Sequence, residues 1–300
     1  MDFKQLQSFV EVVNSGSFTK AAERLYISQP TVSAHIRQLE EELQSRLIIR
    51  TTKSIEVTPR GKELFACASS ILGLRDNLLM RWAAGEEQMI QLGASTIPSA
   101  YILPEILPEY GRLHPKTYFV IHQSDSRGVE EGLLNGSFDL GVAGNESAEP
   151  ALRSVPFYRD RMVLVTPVTR HFLAPKESGA GPLDILRQEP VILREQAGGE
   201  RKSADYFLAE MGFREEALKV AARVNDQESV KNLAAGGVGV SIISRRAARD
   251  FIREKRLLAF DLPGEAAGRN LCLIFRKDYI LKREIRDFMA FVKSFYAEMP

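Results

Sequence analysis

Two breaks within the first 45 residues constrain this chain more than any other feature. A helix-period run with apolar residues at Phe3, Leu6, Val10 and Val13 stops at Gly16-Ser17. Ser17 can cap a second helix, whose Ala21, Ala22 and Leu25 are small enough for close packing. Tyr26-Ile27 then makes a tight connection. Ser28 caps a third helix, with Pro30 tolerated in its first turn. That helix buries Val32, Ile36, Leu39 and Leu43 at spacings of four, three and four. At 100° per residue its opposite face carries Pro30, Thr31, Ser33, Ala34, Arg37 and Gln38. The side chains are short near the start and longer and polar further on. Such a face suits close approach to base edges in a DNA major groove, and it equally suits plain solvation.

Residues 47–58, LIIRTTKSIEVT, carry β-branched residues around a polar centre and predict a β-hairpin. Thr58-Pro59 starts one long amphipathic helix that runs to about Ala84. Leu64, Ala68, Ile71, Leu78 and Trp82 form its stripe, widened by Leu74 and Leu79. The stripe can pair two subunits or pack back on its own chain.

From Met89 the pattern turns to α/β. Strand-like runs fall at 89–94, 117–122, 138–144, 162–167, 191–195, 218–224, 238–244 and 271–276. Helical patterns lie at 104–113, 126–135, 200–211, 226–235 and 281–296. The alternation predicts largely parallel sheets flanked by helices, and KESGAGP (176–182) reads as a loop. At 300 residues the chain is expected to form two or three compact units.

The N-terminal block resembles the LysR-type transcriptional regulators. The match runs through LQSFVEVVNSGSFTKAAERLYISQPTVSAHIRQLEEEL (6–43) and LIIRTTKSIEVTPRG (47–61). Phe18, Ala21, Ala22, Leu25, Ser28, Gln29, Pro30, Thr31, Val32, Ser33, Ile36, Leu39 and Glu40 each fit the family pattern. The resemblance implies a winged helix-turn-helix at 1–58, a linker and dimerisation helix at 59–87, and an effector-binding domain at 88–300. That domain is expected to be periplasmic-binding-protein-like, with subdomain one at 88–164 plus 268–300 and subdomain two at 165–267. DNA contacts are expected from Ser28, Gln29, Pro30, Thr31, Ser33, Ala34 and Arg37 on the third helix, and from Arg50 and Lys53 on the wing. The implied partners are double-stranded DNA carrying an interrupted palindrome, a small-molecule effector, and further copies of the chain in a homotetramer built as a dimer of dimers. RNA polymerase is a further partner the resemblance allows.

Ligands in open α/β sheets sit beyond the carboxyl ends of strands, where helix N-termini point. The residues placed there are Ser95, Thr96, Gln123, Ser124, Arg194, Gln196, Gly198 and Asn225. Ser95, Thr96 and Asn225 can bind an effector or simply cap helices. Arg194 can grip an anion in a bidentate pair or serve Glu195 or Glu200 structurally. Free N–H groups and the helix dipole after Ser95-Thr96 favour negative charge, so a small anion or amino-acid-like metabolite is expected. The effector half is also similar to a subgroup associated with sulfur or selenium metabolism.

Other classes find little support. No G-x-S-x-G, P-loop or HExxH motif occurs, so no catalytic residue, cofactor or metal ligand is assigned. An α/β enzyme or a transport solute-binding protein with a helical appendage is the alternative. The start MDFKQLQSFVEVV lacks the apolar core of an export signal, so a cytoplasmic location without membrane contact is expected. A cysteine-pair switch is not expected, because the effector half holds only Cys272. The net charge is only +1, and residues 1–60 hold eight Lys and Arg against seven Asp and Glu. Any grip on DNA must therefore come from placed charges and from pairing of heads.

Overall fold

The computed structural model describes residues 1–50, 55–84, 88–178, 181–194 and 199–297. The chain divides into two compact units, one spanning Met1–Glu87 with Leu134–Ser137, the other Gln88–Leu133 with Phe138–Pro300.

The first unit holds α1 (Phe3–Ser15), α2 (Phe18–Leu25), α3 (Gln29–Glu42), β1 (Ile48–Arg50), β2 (Ile55–Val57) and α4 (Pro59–Ala84). Asp2 closes the start of α1 in a reciprocal pair with Gln5, and Gly16 ends it in the left-handed conformation at φ 63°. Phe9, Val12, Ala21, Val32, Ile36, Leu39 and Leu47 form the core, and Ala68 and Leu72 of α4 close it. β1 and β2 pair antiparallel as the hairpin required, with residues 51–54 outside the described part. A Cβ at Gly61 would run into the Leu47 carbonyl, so this step into α4 needs glycine.

α4 divides the two expectations for its stripe. Leu64, Ala68, Ile71 and Leu72 pack back on the head, whereas Leu74, Leu78, Leu79 and Trp82 remain exposed, Trp82 at 72%.

The second unit runs β3 (Met89–Ser95), a wide π-helical turn at Pro98–Ile102 continuing as α5 (Leu103–Leu113), β4 (Tyr118–Ser124), α6 (Ser126–Leu134), β5 (Leu140–Gly144) and β6 (Leu152–Pro167). It continues through α7 (Arg170–Ser178), α8 (Pro182–Gln188), β7 (Val191–Arg194), α9 (Gly199–Glu210), β8 (Val220–Val224), α10 (Gln227–Ala235), β9 (Ser241–Ser244) and α11 (Arg245–Arg253). β10 (Leu257–Asp261), β11 (Gly268–Arg276) and α12 (Arg283–Ala297) complete it.

Two sheets share β6. Its first part pairs with β11, which continues to β5, β3 and β4. Its last six residues pair instead with β9 and β10, and β7, which carries β8, is bridged at Val191 to Val240, the residue just before β9. The change of partner falls between Arg161 and Met162, three residues before the 164/165 boundary drawn from the sequence.

The expectation of largely parallel sheets needs correction. β3 is parallel to β4 and β5, and β7 to β8, but β6, β9, β10 and β11 make antiparallel pairs. The chain leaves the first subdomain along β6 and returns along β11. Two crossovers lying side by side run in opposite directions, so their ladder is antiparallel. The proposed loop at 176–182 is also partly helical, since α7 reaches Ser178 and α8 starts at Pro182.

Where β6 meets β11, Asp160 is completely buried. Its carboxylate accepts from Arg269 Nε at 3.1 Å and Nη2 at 3.0 Å, and from Ser244 Oγ at 2.8 Å. One ion pair thus fastens both crossovers and the end of β9.

Candidate functional site

The outward face of α3 is built by its first turn. Ser28 Oγ accepts from the Thr31 N–H at 3.2 Å and lies 2.7 Å from Thr31 Oγ1. Gln29 Nε2 donates to Ser33 Oγ at 2.8 Å. Pro30, Thr31 and Arg37 are exposed, and Ser33 and Ala34 half-buried. A groove runs between this face and the start of the wing, lined by Gln29, Ser33, Arg37, Arg46 and Ile49. Of the seven positions read from the sequence, Gln29, Pro30, Ser33, Ala34 and Arg37 line this groove, while Ser28 and the exposed Thr31 form the capped start of the helix. Lys53 lies outside the described residues, as does the side chain of Arg50.

Glu40 is the residue whose role the sequence did not reveal. Its Oε1 accepts from the N–H of Leu47 at 2.8 Å and of Ile48 at 3.2 Å, which pins the wing to α3. Tyr26, between α2 and α3, takes φ 55° and is 95% exposed. No periodicity marks either feature, because Tyr26 sits in a turn and Glu40, although within α3, acts on the chain seven and eight residues further on.

In the second unit each described candidate effector residue lies at or just after the carboxyl end of a strand, in two groups, one after β3 and β4 and one after β7 and β8. Ser95 and Ser124 stand opposite each other where β3 and β4 end. Ser95 is buried, Thr96 half-buried and Gln123 exposed. Arg194 ends β7, donating to the Asn225 carbonyl at 2.8 Å and to Gln227 Oε1 at 3.4 Å. Gln196, Gly198 and Glu195 lie outside the described residues, and so does the Glu200 side chain. The buried Arg201 holds the Arg194 carbonyl at 2.7 Å while paired with Asp205 and Glu215.

The helix starts around these strand ends differ in charge. Asp125 Oδ1 accepts from the Gly128 N–H at 2.7 Å in α6. Asp226 Oδ2 accepts from the Ser229 N–H at 2.7 Å in α10. Asp226, not Asn225, is thus the cap of α10. The Ser229 hydrogen bonds hold the Asp226 carboxyl below its usual value. The helical turn at Pro98 has no side-chain cap, so neither Ser95 nor Thr96 plays that structural role. Two buried polar atoms stand without a partner among the described residues, Ser126 Oγ and Gln227 Nε2. They belong to the first residues of α6 and α10. The sequence marked neither, since a lone Ser or Gln at a helix start looks like surface.

The remaining titratable candidate is inert. Burial, with Glu146 adding to it, pushes the Cys272 thiol up to about 12, so it stays protonated.

A winged helix-turn-helix followed along the chain by a two-part α/β sensing unit defines a ligand-responsive DNA-binding regulator. Comparison with known proteins fixes the family. The profile described as "Bacterial regulatory helix-turn-helix protein, lysR family" matches residues 3–62, and "LysR substrate binding domain" matches residues 83–297. The chain belongs to the LysR family of transcriptional regulators. It is 27% identical over 299 residues to the HTH-type transcriptional regulator CysL of Bacillus subtilis, covering 99% of this chain and 98% of that protein. It is 34% identical over 249 residues to the HTH-type regulator MJ0300 of Methanocaldococcus jannaschii, covering 81% and 82%. The fold is similar to the crystal structure of the LysR-family regulator CbnR, with a TM-score of 0.68, 22% identity and 99% coverage of both chains. Among the described residues no helix is long and apolar enough to cross a membrane.

Proposed function

We propose that this regulator reads an interrupted palindrome through paired α3 helices and responds to a small anionic or amino-acid-like metabolite held after β3. Ser28, Gln29, Pro30, Thr31, Ser33, Ala34 and Arg37 contact the groove, with Arg50 and Lys53 on the flanking phosphates. Two-fold pairing of heads spaces the half-sites by whole helical turns. The exposed Leu74, Leu78, Leu79 and Trp82 pair two chains, and two such dimers make a tetramer acting in the cytoplasm beside RNA polymerase.

One observation carries the effector reading. Of the helix starts at these strand ends, those of α6 and α10 are closed by carboxylates, whereas the turn at Pro98 is not. Its N–H groups and dipole favour an anion, with Ser95, Thr96 and Ser124 beside it. Gln123, Arg194, Gln196, Gly198 and Asn225 complete the candidate set, to which the orphaned Ser126 Oγ and Gln227 Nε2 are added. An amino-acid-like ligand would place its ammonium toward the acidic caps.

Gel-shift on the protein's own upstream DNA tests the DNA half, and Arg50→Ala is expected to lower the salt slope by about one. An unchanged slope places Arg50 off the DNA. Thermal-shift screening with sulfate, amino acids and large neutral aromatics tests the effector half. Stabilisation by the aromatics alone overturns it.

A further inference from the structure

The turn at Pro98 continues without interruption into α5, and two side chains of this continuous segment, four residues apart, reach beyond the first subdomain. Tyr101 Oη donates to Glu228 Oε1 at 2.7 Å and accepts from Lys231 Nζ at 3.1 Å, both on α10. Glu105 binds Arg246 and, at 2.8 Å, Arg249, both on α11, and it accepts from Tyr296 of α12 at 3.1 Å. Residues at i and i+4 lie on one helical face. That single face thus reaches two different helices of the second subdomain.

The environment on the far side makes these contacts expensive to lose. Lys231 is 97% buried by its 3% exposure, and its ammonium lies over the Phe251 ring at 4.6 Å. Arg246 lies over Tyr158 at 4.4 Å and Tyr296 at 5.2 Å. Lys231 keeps its ion pair with Glu228 on α10, whereas Arg246 is paired with Glu105 across the subdomains, and a buried charge deprived of its partner bears more of its desolvation cost. Each site therefore favours one placement of the turn, and the second subdomain follows when the turn moves. π-helical turns carry one residue more than the α-helix accommodates and often mark functional sites.

We propose that Tyr101 and Glu105 are the positioning residues that pass occupancy of the Ser95–Pro98 turn to α10 and α11. This rests on the anion reading of that turn for its trigger, but the linkage itself exists without ligand. Charged and titratable groups facing the pair are Glu228 and Lys231 from α10, Arg246 and Arg249 from α11, Tyr296 from α12 and Tyr158 from β6. An effector can shift the arrangement only through a difference in its own affinity for the two placements.

The test uses full-length protein in a Cys67→Ser background, spin-labelled at Arg127→Cys in α6 and Tyr206→Cys in α9. Both sites are exposed, and Cys272 is fully buried. Tyr101→Phe removes one oxygen and keeps the ring, so it serves if Glu105→Gln with Tyr101→Phe does not fold. With inorganic sulfate as probe, the variants should keep the wild-type dissociation constant within about twofold, about 0.4 kcal/mol, and lose the sulfate-induced change in label distance. Retention of that change overturns the proposal. If wild-type protein does not bind sulfate, the anion reading fails and the linkage is judged without ligand. A broader distance distribution in the variants then supports it, and an unchanged one overturns it.

Discussion

The head closes the start of its reading helix with a side chain, whereas the turn at Pro98, where we propose that the effector sits, has no such cap. Ser28 caps α3 with its own hydroxyl, and Glu40 fastens the wing to the same helix. The turn at Pro98 has no side-chain cap. A DNA reader must hold a fixed face before it meets its target, so its polar ends are satisfied internally. A sensor must leave hydrogen-bonding capacity for a molecule that comes and goes. The same element, a helix N-terminus, is finished in one unit and unfinished in the other.

The largest test of this contrast is Asp160→Ala. It strips Arg269 of its buried partner and is expected to cost the sensing unit about 3–5 kcal/mol. Chemical unfolding followed separately in the two units should show the head's transition unmoved. An equal loss in the head would mean that the units share one cooperative structure.

Glu40→Ala comes next, at about 1–3 kcal/mol, because the Leu47 and Ile48 N–H groups lose their acceptor. DNA affinity should fall with it while sulfate binding stays constant. Preserved DNA binding would show that the wing does not need pinning. Ser28→Ala and Asp226→Ala should each cost about 1 kcal/mol, one in each unit. They compare a cap in the reader with a cap in the sensor. If Asp226→Ala also tightens sulfate binding, the carboxylate is confirmed as a deterrent to anions at α10.

Acid gives the smallest and most selective effect. Burial pushes the Glu105 carboxyl up, but Arg246 and the hydrogen bonds from Arg249, Arg246 and Tyr296 outweigh it and leave it below its usual 4.5. Asp226 is likewise held below 3.8. A depressed carboxyl stabilises the fold above its ordinary value, and that contribution is lost as pH falls through the lowered one. The sensing unit's unfolding temperature should therefore fall on acidification below these values, and Glu105→Gln should flatten the dependence. An identical profile for that variant would place the stability elsewhere.

Much of the fold was legible because its signals are local. Strands β3, β5 and β7 are apolar runs, and α5, α6, α9, α10 and α12 carry helical periods. β10 and α11 carry no clear local signal, for opposite reasons. β10 is five residues long, and α11 buries only Ala247, Ala248 and Phe251 among many arginines. Of the candidate site, the α3 face could be read because one helix carries it. The effector set was placed by strand ends alone, so Ser95 and Ser124 came together while Asn225 gave its capping role to Asp226.

What the sequence determined by itself was the family, the three-helix head with its hairpin, and the strand ends where a ligand can sit. These follow from residue type, period and capping chemistry within a few residues. Only the tertiary structure decided the antiparallel crossovers, the division of α4 into a packed and an exposed half, the Asp160–Arg269 pair, and the reach of Tyr101 and Glu105 to α10 and α11. Each joins residues far apart in the chain, and the free energy that fixes them comes from burying charge and apolar surface together, which no local pattern encodes.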